Sequence, residues 1–159
     1  METDPSIVLA PLGLTLLGAL SAMVFPKFPK VPYGFALAGG LGLVALALSA
    51  LLGEVTLRTQ LPPVTAFAEL TFRLDGLAAY FLLILGVLAV ATSLFGLGYV
   101  DRQHYGGPVT GAAYCGFVAA MGGVVLADGV FSFLLFWELM ALTSFVLVVH
   151  DHDVPAPWR

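Results

Sequence analysis

Val130 to Val149 reads VFSFLLFWELMALTSFVLVV, twenty residues without Gly or Pro and with one ionisable side chain, Glu138. A helix rises about 1.5 Å per residue, so a run of this length spans the ~30 Å hydrocarbon core of a bilayer. Glu138 then falls roughly 12 Å from one end, close to the midplane. A charged group at that depth costs on the order of 2.5–3.5 kcal/mol on insertion scales. Intramembrane acids of this kind face a bundle interior or a water path and take part in ion movement. The plainer alternative is a protonated Glu hydrogen-bonded to a neighbouring helix, a structural link worth about 1 kcal/mol.

The rest of the chain agrees with a membrane reading. Of its 159 residues, 60% are hydrophobic and 10% charged, and the mean hydropathy is +1.01. Soluble domains carry about 25% charged residues. The length fits one bundle, a single membrane domain over residues 1–159. Six scattered Lys and Arg residues against a net charge of −4 give no basic surface for nucleic acid. One cysteine, Cys115, excludes an intrachain disulfide. The N-terminal METDPS is acidic and leads into an apolar run too long for a signal-peptide core, which predicts an uncleaved first span.

Five spans follow from the apolar runs: 7–25, 35–52, 76–99, 109–127 and 130–149. Pro11 is placed in the first turns of span one, and PKFPKVPYG (26–34) forms the connection to span two. Gly39, Gly40 and Gly42 let a neighbouring helix approach span two. No strand precedes these glycines and no Lys-Ser/Thr follows them, so they form no phosphate loop. Residues 54–75 are the one long polar segment. Apolar/polar alternation in VTLRT and ELTFRLD, with LPPV between them, predicts two short strands or a hairpin outside the bilayer. Asp75 stands at the N-cap of span three, where a carboxylate accepts backbone N–H bonds. Ala112, Gly116, Ala120, Gly123 and Ala127 form a small-residue stripe on span four. Asp128-Gly129 is a minimal turn, so spans four and five pair antiparallel.

The exit HDHD (150–153) interleaves two His with two carboxylates, residue types that can ligate a transition metal. Residues two apart on a helix point in different directions, and no second His or Cys cluster completes a shell, so no metal is assigned. Loops after spans one, three and five hold Lys27, Lys30, Arg102 and Arg159, against Arg58 and Arg73 on the other side. That bias predicts the N-terminus outside and the C-terminus in the cytoplasm of a cell-membrane protein.

Three stretches together resemble a known family: RLDGLAAYFLLILGVLAVATSLFGLGYV, the small-residue span after it, and FWELMALTSFVLVVHDHD. They are similar to the N-terminal part of the antiporter-like membrane subunits shared by respiratory complex I, Mrp cation/proton antiporters and membrane-bound hydrogenases. The wording is similar to hydrogenase-4 component B and the related formate hydrogenlyase subunit. The resemblance implies that Glu138, in Trp137-Glu138-Leu139-Met140, is the intramembrane acid of the proton-transfer apparatus. It also implies that Asp75-Gly76 is the recurring start of the third helix, with Ser144 a secondary polar site. Family members carry many more spans and pair this Glu with buried lysines on later helices. No lysine follows Lys30 here, so the chain reads as a fragment, a truncated product or one piece of a split subunit.

The sequence therefore predicts an all-α, five-span membrane bundle with a short hairpin between helices two and three. It reads as the N-terminal part of a proton- or cation-translocating (H+ or Na+) subunit of a complex I-like or hydrogenase-type oxidoreductase. No flavin, iron–sulfur or haem ligand set is present, so no cofactor is assigned and redox chemistry belongs to partner membrane and peripheral subunits. The rival reading is a non-conducting anchor or assembly subunit in which Glu138 only links helices.

Overall fold

A computed structural model describes residues 5–53, 57–60, 69–100 and 107–150. Its elements in order are α1 (Pro5–Val24), α2 (Val31–Leu51), β1 (Leu57–Gln60), β2 (Thr71–Leu74), α3 (Gly76–Tyr99), α4 (Pro108–Leu126) and α5 (Val130–His150). Helices α2, α3, α4 and α5 are each long and apolar enough to cross a bilayer, and α1 is itself twenty residues long. Helices are what an apolar chain forms in lipid, because every backbone polar group is then satisfied within its own segment. This is a multi-pass membrane protein.

Two element starts differ from the sequence expectation, both because of proline. α2 begins at Val31, not near residue 35, since Pro32 sits in its first turn. A missing N–H costs nothing there, and the fixed φ of proline suits a helix start. Conversely, α1 begins at Pro5, which places Pro11 inside the helix and past its first turn. Gly42 of α2 lies against the Pro11 ring, where a Cβ would come within 3.1 Å of Pro11 Cγ.

Helix α1 packs between α2 and α4, α2 packs on α3, and α3 closes the ring on α4; α5 lies outside it, docked on α4. Small residues set these contacts. Gly39 faces Pro11 and Thr15 of α1, while Gly40 faces Ala89 and Val90 of α3. On α4 the small-residue stripe meets α5: Gly116 opposes Thr143, and Gly123 opposes the Phe136 ring. As one member of each pair advances along the chain the other retreats by the same seven residues, so α4 and α5 run antiparallel.

β1 and β2 form an antiparallel two-stranded hairpin with Leu57 opposite Leu74 and Arg58 opposite Arg73. Alternation turns Phe72 and Leu74 inward, where they are 3% and 1% exposed. They join Leu12, Leu43, Leu46, Leu82, Leu85 and Leu126 in one apolar cluster. The hairpin thus plugs one end of the helix ring.

Candidate functional site

The site is built on α5. Its inward face is marked by Ser132, fully buried, and by Phe136 and Thr143, which meet β2 and α4. At about 100° per residue, Glu138 lies roughly 200° around the helix from Phe136. It is exposed on the outward face, in a stripe with Phe131, Leu134, Leu142 and Phe145, all exposed. Among the described residues Glu138 has no hydrogen-bond or ion-pair partner. The carboxyl therefore points away from its own bundle, from an apolar surface, with nothing among the described residues to receive its proton or offset its charge.

The other sequence-predicted residues stand elsewhere. Asp75 precedes α3, and its Oδ1 accepts from Ala78 N at 2.9 Å. Its Oδ2 lies 3.5 Å from Arg73 Nε. Asp75 sits at the hairpin end, whereas Glu138 is about two turns along α5 from that end. Ser144 is part-buried and about 120° around α5 from Glu138, so the two do not share a face. Residues 151–153 of the HDHD exit lie outside the described residues.

Two polar constellations were not anticipated from the sequence. At the hairpin end, Arg58 and Arg73 are cross-strand partners. Like charges so placed repel. Asp128, in the α4–α5 turn, answers both: Oδ2 accepts from Arg58 Nε at 3.0 Å, and Oδ1 lies 3.8 Å from Arg73. The backbone reinforces the link. Asp128 N donates to Thr71 O at 3.0 Å, and Thr71 N donates to Ser132 Oγ at 2.8 Å. Strand β2 thereby holds the first turn of α5. Arg73, Asp75, Asp128 and Phe81 line a cleft of about 230 Å³ beside this link.

The second constellation joins α3 to α4. Tyr114 Oη donates to Ala89 O at 3.1 Å and lies 2.6 Å from Thr92 Oγ1 and 2.9 Å from Ser93 Oγ. Its ring stacks on Tyr33 of α2 at 5.4 Å. Hydroxyls of this kind hold helices together in lipid. Among the described residues, no group of three or more His, Cys, Asp or Glu side chains could hold a metal.

An apolar helix bundle with four helices long enough to cross a bilayer, and an outward acid on α5, defines a multi-pass membrane protein. Comparison with known proteins shows what the chain is similar to. The chain is 36% identical to hydrogenase-4 component B of Escherichia coli (strain K12) over 104 residues, 62% of this chain and 15% of that protein. It is 37% identical over 78 residues to Na(+)/H(+) antiporter subunit A1 of Staphylococcus aureus (strain Newman), 47% of this chain and 9% of that one. An uncharacterized protein of Mycobacterium tuberculosis (strain ATCC 25618 / H37Rv) is 43% identical over 82 residues, 52% of this chain and 13% of the relative. No family model matches the chain. Its homologues are thus antiporter-like membrane subunits, of which it spans 15% of the length or less.

Proposed function

We propose that this chain is the N-terminal part of a cation-translocating membrane subunit in a complex I-like or hydrogenase-type oxidoreductase, with Glu138 as the protonatable group of its ion path. The observation that carries the reading is the outward, unpartnered placement of Glu138 on an uncovered face of α5. A charged carboxyl left against lipid at mid-bilayer depth costs on the order of 2.5–3.5 kcal/mol. That cost is relieved when a further helix brings a cation, a donor or a water path to it. The missing element belongs to the same subunit or to a partner subunit, because α1 to α4 lie on the opposite side of α5. H+ and Na+ both suit a lone carboxylate with oxygen ligands supplied from elsewhere.

The membrane orientation follows the basic residues. Lys27 and Lys30 lie at one end of the bundle and the hairpin with Arg58 and Arg73 at the other. In this reading the lysine end is cytoplasmic, the hairpin of 54–75 lies outside the bilayer on the other side, and Asp75 serves as a helix cap.

The test is ion movement by Glu138 variants in vesicles holding the complete complex, normalised to assembled protein. Glu138→Gln keeps volume and hydrogen bonding but cannot release a proton, so coupled movement falls severely. Glu138→Asp keeps the titratable group one methylene short and retains part of the activity. If Gln transports at the wild-type level while Ala impairs only assembly, Glu138 is a helix link and the chain an anchor.

A further inference from the structure

The cleft beside the hairpin has a make-up that ion movement through Glu138 does not use. Arg73, Asp75 and Asp128 stand on its polar side, and Leu77, Phe81 and Val125 on its apolar side. Asp75 precedes α3 and Asp128 follows α4, so the charges lie just beyond the ends of two bilayer-length helices. The apolar wall belongs to those helices themselves. Charged groups meeting bare apolar side chains at a helix end suit the boundary between headgroups and acyl chains.

The charges are matched in sign and loosely paired around the opening. The four members of the link, Arg58, Arg73, Asp75 and Asp128, sum to zero. Its close contact is Arg58 Nε to Asp128 Oδ2 at 3.0 Å. Around the cleft the spacing widens: Arg73 Nε lies 3.5 Å from Asp75 Oδ2, and Arg73 Nη1 lies 3.8 Å from Asp128 Oδ1. Direct N–H···O bonds close to about 2.7–3.2 Å. Arg73 therefore stands between two carboxylate oxygens without closing on either, and a guanidinium has five N–H donors to share.

A groove leads away from the cleft along the bundle. Thr92 Oγ1 and Tyr114 Oη lie 2.6 Å apart across α3 and α4. Phe81, eleven residues back along α3, and Val125, eleven residues on along α4, both line the cleft. The two helices thus face each other antiparallel over roughly 16 Å, from a rise of 1.5 Å per residue. Phe81 and Leu88 are 50% and 55% exposed beside this seam, which leaves it open on the lipid side.

From this arrangement we infer a site for an ethanolamine phospholipid: its phosphate lies on Arg73, its primary ammonium between Asp75 Oδ2 and Asp128 Oδ1, and an acyl chain along the α3–α4 seam. At about 230 Å³ the cleft is smaller than the ~300–1,000 Å³ pockets that enclose whole drug-sized ligands, so it takes a headgroup and leaves the chains outside. A zwitterion matches charges of both signs, whereas an anionic lipid gains nothing from charges that sum to zero. A primary ammonium offers three N–H donors to the carboxylates and a choline head offers none. One charge-assisted hydrogen bond separates the two by about tenfold.

The full chain, purified in neutral detergent, is titrated with phosphatidylethanolamine, phosphatidylcholine or phosphatidylglycerol of identical acyl chains, and bound lipid is counted by native mass spectrometry. The wild type binds phosphatidylethanolamine about tenfold more tightly than phosphatidylcholine. Asp75→Asn with Asp128→Asn removes that advantage and, with both arginines left, turns the preference toward phosphatidylglycerol. Arg73→Gln weakens phosphatidylethanolamine and phosphatidylcholine together, because both carry the phosphate, and Phe81→Ala does so by removing the acyl wall. Lys27→Gln at the other end leaves the preference intact. Equal binding of phosphatidylethanolamine and phosphatidylcholine by the wild type, tighter binding of phosphatidylglycerol, or an advantage surviving the double Asn variant overturns the site. So does displacement of the lipid by an equal concentration of glycerophosphoethanolamine, which would make it a headgroup site without a chain.

Discussion

Substituting Gly123 by alanine tests whether α5 is seated as described. A Cβ at Gly123 would sit within 2.7 Å of Phe136 Cδ1, Cγ and Cε1. The ring has little room to retreat, because it lies 5.8 Å from the ring of Phe72, itself 3% exposed. Overpacking of this kind costs about 1–3 kcal/mol. Alanine is the better helix former by about 1 kcal/mol, so the net loss is about 1–2 kcal/mol at the upper half of that range. Gly98→Ala supplies the control: nothing lies within 4 Å of its Cβ, so it is neutral or slightly stabilising. Phe136→Ala destabilises alone, but it relieves the collision when combined with Gly123→Ala. The assay is reversible unfolding in mixed detergent–dodecyl sulfate micelles, followed by circular dichroism. A double-mutant cycle should give a coupling of about 1–2 kcal/mol, the size typical of residues in contact. Additivity of the two changes within about 0.3–0.5 kcal/mol would mean that they do not touch, and the described α4–α5 seat would be wrong.

Two further outcomes follow from the hairpin end. Asp75→Asn keeps an oxygen for Ala78 N and leaves stability nearly unchanged, while Asp75→Ala loses about 1 kcal/mol in the same unfolding assay. Abolition of ion coupling by Asp75→Asn in an assembled complex would refute the capping assignment. The Arg58–Asp128 pair is unequal, with side chains 78% and 17% exposed, so its coupling is below about 1 kcal/mol. A cycle of Arg58→Gln and Asp128→Asn at low and at 1 M salt should show that coupling shrink, since screening there is short-ranged, with a Debye length of about 3 Å. A coupling unaffected by salt would show that the pair is not electrostatic.

Much of this architecture is legible in the residues, for reasons that can be separated. α3 is bounded by Asp75, a good N-cap, and by the polar run after Tyr99, so both ends carry chemical punctuation. The hairpin is legible because strand alternation is a local signal, and Thr71–Leu74 shows it in inward Phe72 and Leu74. The start of α2 was hidden by prolines, which break a helix inside but open it when they fall in the first turn. The position of Glu138 along α5 follows from the sequence; its azimuth does not. α5 is apolar on every side, so no polar face shows which way it turns, and only the contacts of Ser132, Phe136 and Thr143 settle that. The Arg58–Asp128 pair joins residues seventy positions apart and has no local signature at all.

The attachment of β2 to the first turn of α5 has a mechanical consequence. One end of α5 is tied by Thr71, Ser132 and Asp128 to the hairpin, and its length rests on one helix, where Gly116 and Gly123 of α4 meet Thr143 and Phe136. α5 is therefore a lever whose pivot is the turn at Ala127–Gly129. Displacement along it grows with distance from that pivot. A tilt of about 5° carries Glu138 by roughly 1 Å and the far end at His150 by roughly 2.7 Å, from a rise of 1.5 Å per residue. Anything that grips the far end of α5 thus moves the carboxyl with a mechanical ratio of a little over two to one, in fine steps and without unwinding the helix.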